Sequence, residues 1–254
     1  MPPPNATQRF SDRVADYVRT RPGYPAAVLD ALREAGALAP GAVVVDVGSG
    51  TGISSALFLE AGHRVVGVEP NAEMRAAAER ILAGHAGFRS VDGTAEATTL
   101  PDACADLVVA GQAFHWFDAG RARAEWARIL GPGGQAALLW NVRRTEATPF
   151  LRDYEALLQR FGTDYRAVRH ENVGPEALAA FFAGDYRTWT FENVQTFDRD
   201  GVRGRLLSSS YTPPPGHPDH GPMLRELDRI VDRHGGGGPV RIEYDTVLHL
   251  GAVS

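Results

Sequence analysis

The stretch "VVVDVGSGTG", Val43 to Gly52, runs apolar, meets an acid at Asp46 and then places three glycines within five positions. An apolar run bounded by glycines reads as a strand buried on both faces, and the helical "ISSALFLEAG" behind it makes the glycines a strand-to-helix turn. Backbone without side chains at the carboxyl end of a parallel strand is where open α/β sheets bind ligands. A nicotinamide or flavin dinucleotide loop wants G-x-G-x-x-G, but counting from Gly48 the third glycine would fall on Ile53. The pattern is G-x-G-x-G, through Gly48, Gly50 and Gly52, and no Gly-Lys-Ser/Thr follows to make a phosphate loop.

Working outward, "AVVVDVG", "HRVVGVEP", "FRSVDG", "ADLVVAGQ" and "QAALLWNV" read as strands. They alternate with "ISSALFLEAG", "NAEMRAAAERILAG" and "RARAEWARIL", the rhythm of βαβ units and a parallel sheet. After Asn141 come two amphipathic segments, "TPFLRDYEALLQRFG" and "GPEALAAFFAG", with no strand between them. Strands resume at "YRTWTFENVQTFDRD" and end at "VRIEYDTVLHL". The expected fold is a doubly wound, mostly parallel seven-stranded α/β sheet. Residues 1–40 form an N-terminal helical cap, 41–144 and 185–254 the ligand-binding domain, and 145–184 a helical insertion after the fifth strand that covers the substrate site.

The chain has 26 basic and 31 acidic residues and no Lys/Arg run, which argues against nucleic acid as a partner. Cys104 is the single cysteine, and His217, His220 and His234 lack ligand spacing, so no metal site is expected. No signal-peptide pattern or membrane-length apolar run is present, and a cytoplasmic protein is expected. Oligomeric state is not readable.

About twenty residues beyond the loop, the second strand ends in Glu69, a carboxylate suited to both hydroxyls of a ribose. In order, "VVVDVGSGTG", "VVGVEPN", "VDGTAEATTLPD" and "LVVAGQAFHWFD" resemble the successive motifs of class I S-adenosylmethionine-dependent methyltransferases. The likeness is to the type 11 small-molecule group, which includes trans-aconitate-methyltransferase-like proteins, and extends to "DYVRTRPGYP", "ILGPGGQAALLW" and "SSSYTP". It implies S-adenosylmethionine as cofactor, an antiparallel edge pair from the last two strands, and methyl transfer to oxygen, nitrogen or carbon of a small acceptor. Asp46 would orient the loop, Gly48, Ser49, Gly50 and Gly52 would admit the aminoacid end, and Glu69 with Pro70 would hold the ribose. Met74 is read as packing on the adenine or as plain core. The family's Gly-Asp-Ala-Glu is here Gly93-Thr94-Ala95-Glu96, so Thr94 accepts only weakly, the Ala95 amide still reaches a ring nitrogen, and Glu96 is a candidate helper. Tyr17 and Arg21 fall where relatives close a helix over the cofactor; Arg21 either binds the methionine carboxylate or is solvated.

In-line displacement at a sulfonium chiefly needs a positioned nucleophile and excluded water. "GQAFHWFD" brings Gln112, assigned to the cofactor, together with His115, Trp116 and Phe117. His115 is the one side chain there of a type whose unperturbed pKa suits proton removal near neutrality, and it is either a general base or a packing group beside Trp116. Trp140 and Asn141 at the end of the fifth strand, and Tyr211 from the insertion side, are expected to face the acceptor. Tyr154, Phe161, Phe181 and Phe182 serve an apolar acceptor or the insertion's own core. Cofactor chemistry other than methyl transfer, or noncatalytic binding of S-adenosylmethionine, remains the alternative.

Overall fold

The structure, a computed structural model, describes residues 18–165 and 173–253. α1 (Ala27–Glu34) precedes β1 (Val43–Val47), which is buried along all but its first residue. After the glycine turn come α2 (Ile53–Glu60), β2 (Arg64–Val68), α3 (Ala72–Ile81), β3 (Phe88–Val91) and β4 (Ala105–Gly111). A short 3-10 turn (Phe114–Trp116) then leads to α4 (Ala119–Ile129) and β5 (Leu130–Arg143). The rest is α5 (Pro149–Phe161), α6 (Pro175–Phe181), β6 (Tyr186–Phe197), α7 (Arg199–Leu207), α8 (His220–Gly235) and β7 (Val240–Gly251). α3 starts where it does because the Asn71 side chain accepts the free N–H groups of Glu73 and Met74.

The seven strands lie in the order β3-β2-β1-β4-β5-β7-β6. The first five are parallel, and β7 runs antiparallel between β5 and β6. Strand order reverses beside β1, so a crevice opens between the carboxyl ends of β1 and β4, where this class of sheet takes its ligand.

Period-two alternation sends successive side chains to opposite faces. Val44, Leu107 and Leu139 meet α1 and α2 through Val28, Leu32 and Phe58. Val45, Val108 and Leu138 meet Trp126 of α4 and Phe181 of α6. A third cluster joins α5, α7 and α8 to β7 through Leu151, Leu158, Val202, Leu227 and Ile242.

The clusters divide the chain differently from the expected boundaries. α6 does not lie with α5: the Phe181 ring sits 5.3 Å from Trp126 and 4.6 Å from Phe114, inside the sheet core. An apolar face of Leu178, Phe181 and Phe182 is drawn to the sheet because that is where it loses most contact with water. The helices packed with α5 are α7 and α8, more than thirty residues downstream. α1 likewise lies flat on the sheet, and only the segment before it reaches the site.

Candidate active site

Gly48 begins the turn after β1 at φ 69°, and a Cβ there would stand 2.6 Å from the Ala113 Cβ. Gly52, at φ 86°, would similarly strike Leu82 at 2.6 Å. Two of the three glycines are therefore required by the protein's own packing, whatever binds. Gly50 differs, since the nearest atom to its absent Cβ is the Met74 Cε at 3.8 Å, which leaves room.

Asp46 lies beneath the turn, fully buried; its Oδ2 accepts the hydroxyls of Ser54 (2.7 Å) and Ser55 (2.6 Å) at the start of α2. Its Oδ1 has no partner among the described residues. Burial raises its pKa to about 6 against the opposing pull of the two serines. Glu69 accepts the Gly50 N–H (3.0 Å) and the Asn71 N–H (2.9 Å), tying the turn to the end of β2. Burial also raises the Glu69 pKa, more than those N–H groups lower it.

A cavity of about 180 Å³ opens beside the turn. Gly48, Ser49 and Gly50 form one wall, Gln112, His115 and Trp116 another, and Arg21, Asn141 and Tyr211 also line it. Gln112 holds an unusual φ of 59° and donates from Nε2 to the Asn141 carbonyl (3.2 Å). The His115 and Trp116 rings lie 4.8 Å apart. The Asn141 side chain is committed to scaffolding: Nδ2 donates to the Gly23 carbonyl at 3.1 Å, and Oδ1 accepts from Thr246 and Asn193. Arg21 donates to the Ser208 carbonyl at 2.8 Å, joining the N-terminal segment to the end of α7.

Other expected residues fall elsewhere. Trp140 is buried among Phe114 and His249, because alternation along β5 turns it to the face opposite Asn141. Ala95 packs in the sheet core, Thr94 is exposed, and Glu96 accepts the Asp118 N–H at 2.8 Å, bracing the start of α4. Met74 flanks Gly50, outside the cavity lining, and Pro70 is half-buried after Glu69. Tyr17 lies outside the described residues. Sequence reasoning missed Tyr24, Arg143, Tyr165, Arg205 and Tyr244, all of which line the cavity.

Residues 45–138 match the family model described as a methyltransferase domain. Over that segment the chain is similar to a methyltransferase domain. An uncharacterised methyltransferase of Mycobacterium tuberculosis is 38% identical over 161 residues, 62% of this chain and 61% of that relative. One of Schizosaccharomyces pombe is 30% identical over 155 residues, 59% of each chain. The matches thus span about six tenths of the length of these curated relatives. A protein of Anaeromyxobacter dehalogenans assigned as a type II methyltransferase superposes with a TM-score of 0.63 at 22% identity, over 92% of this chain and 98% of its own. The matched segment therefore sits in a Rossmann-like fold that this chain shares with that structure over most of its length.

Proposed function

We propose that the chain is an S-adenosylmethionine-dependent methyltransferase acting on a small-molecule acceptor. The observation that carries the reading is the pairing of Asp46 and Glu69 around one glycine turn, at the β1–β4 crevice, beside a cavity walled by His115 and Trp116. The residues fit the cofactor. Glu69 spends one lone pair of each oxygen on backbone N–H groups and keeps others for a ribose diol. The bare backbone at Gly50, with Met74 across from it, leaves space for an adenosine, and the orphaned Asp46 Oδ1 is a buried acceptor awaiting a donor. When bound, S-adenosylmethionine supplies an electrophilic methyl group.

Arg21 is assigned to the cofactor carboxylate and Glu69 to the ribose, with Met74 beside the adenine. His115 takes a proton where the acceptor arrives protonated, and Trp116 and Tyr211 limit water around the reacting atoms. A ligand that binds only the folded state raises the melting temperature, so thermal shifts with S-adenosylmethionine, S-adenosylhomocysteine and NAD test the reading. A selective rise with the two adenosyl ligands is expected. A rise with NAD alone overturns the assignment.

A further inference from the structure

We infer that the cavity holds its methyl acceptor by a carboxylate, seated against the guanidinium groups of Arg205 and Arg143. The inference rests on the methyltransferase reading above and names the class of its acceptor.

Among the described residues, three arginines line the cavity, Arg21, Arg143 and Arg205, and no aspartate or glutamate does. They arrive from three elements: the segment before α1, the end of β5, and α7. The β5–β7 register sets Arg143 opposite Tyr244, and the Tyr244 hydroxyl accepts from the Arg205 Nε at 3.1 Å. Two guanidinium groups therefore meet at one wall.

Their charges are not equally answered. Arg143 pairs with Glu155 of α5, both side chains almost buried, and also donates to the Tyr165 hydroxyl at 3.0 Å. Its Nε is buried and has no partner among the described residues. Arg205, 8% exposed, bonds only to neutral groups, the Tyr244 hydroxyl and the Ser209 Oγ at 3.2 Å, and makes no ion pair among the described residues. A buried guanidinium without a counter-ion is costly, whereas one that meets a carboxylate in a bidentate fork recovers much of that cost. Tyr211 reports the same field: burial pushes its phenol up, yet the three arginines bring it below its ordinary value.

The cofactor does not resolve the imbalance. S-adenosylmethionine carries one carboxylate against an ammonium and a sulfonium, so it satisfies one arginine and adds net positive charge. With Glu155 answering Arg143 and the cofactor carboxylate assigned to Arg21, Arg205 still lacks an anion among the described residues, and the remaining ligand of the cavity is the acceptor. The acceptor's carboxylate serves as an anchor: cations that draw on its lone pairs weaken it as a nucleophile, so the methyl goes to another atom of the same molecule.

The test is calorimetric titration of protein saturated with S-adenosylhomocysteine. The probes are phenylacetate, 4-hydroxybenzoate and succinate, each beside its uncharged amide. At least one carboxylate is expected to bind about tenfold or more tightly than its amide. Arg205→Gln should reduce that preference to about threefold or less while leaving S-adenosylhomocysteine affinity within about twofold. If Arg205→Gln does not fold, Arg205→Lys serves, retaining the charge without the fork, and should weaken the carboxylate about threefold. Equal binding of acid and amide, no binding of any probe, or a preference unchanged in the variants overturns the anion subsite. Binding of S-adenosylhomocysteine is measured first: its failure strikes the methyltransferase reading, and its success without acid preference strikes the subsite alone.

Discussion

Replacing Asp46 with asparagine probes the buried carboxylate at the root of the glycine turn. Burial outweighs the hydrogen bonds from Ser55 and Ser54 and raises its pKa from 3.8 to about 6. A folded-state pKa above the unfolded value means that the folded chain holds the proton longer. The stability this group contributes is thus full below pH 3.8 and is lost as the pH climbs to about 6. The displacement corresponds to about 3 kcal/mol. Asparagine matches the protonated acid in shape, keeps an acceptor oxygen for the two serines, and does not titrate. Urea unfolding of the ligand-free proteins should find wild type and Asp46→Asn within about 1 kcal/mol of each other near pH 4. By about pH 7 the variant should have gained up to about 3 kcal/mol on wild type. A difference that stays flat over that range, or that moves in favour of wild type, refutes burial as the controlling influence and gives the site to the serines.

Gly48→Ala places a methyl 2.6 Å from the Ala113 Cβ at a φ of 69°. A loss of about 2–4 kcal/mol is expected in denaturant unfolding, and a stability equal to wild type would show that the 112–116 loop gives way freely. Phe181→Ala removes a ring packed on Trp126 and Phe114, so a loss of about 3–5 kcal/mol is expected with S-adenosylhomocysteine affinity retained. A milder loss joined to weakened acceptor binding would instead return α6 to the cover. His115→Ala is expected to cut turnover about 100-fold or more with S-adenosylhomocysteine binding intact, and full turnover would remove the general-base role.

The strands were readable because their surroundings leave few alternatives. β1 and β4 are largely buried and so appear as apolar runs interrupted only by Asp46 and Asp106, and Glu69 could be found by its spacing from the glycines. Trp140 misled because an aromatic at a strand end suggests a ligand wall, yet alternation makes it the neighbour of Phe114 while Asn141 faces the cavity. The partition of helices after β5 was hidden for a different reason. α5 and α8 each carry an apolar face as α6 does, and only packing decides that Phe181 belongs to the sheet core while Leu151 belongs with α7 and α8. Arg205 did leave a signal. It falls three residues after Val202 and next to Leu206 on the buried side of α7, a cation where helical spacing calls for an apolar residue.

The two halves of the site follow different physical logic. The half assigned to the cofactor is built, apart from Arg21, from backbone, through the glycine turn, the Gly50 N–H and the carboxylates that brace it, and that part lies within residues 45–138 of the matched domain. The other half is built from charge and phenols, and Arg143, Tyr165, Arg205, Tyr211 and Tyr244 all lie beyond that domain. A match over 45–138 therefore bears on the fold, the donor and the wall of His115 and Trp116, and carries no information about these arginines and phenols. The chain as a whole has a formal charge of −5, and fields between exposed charges fade within about 8 Å at physiological salt. An acidic exterior cannot gather anions, so selection for an acid has to happen at the buried wall. There Arg205 answers to no carboxylate among the described residues.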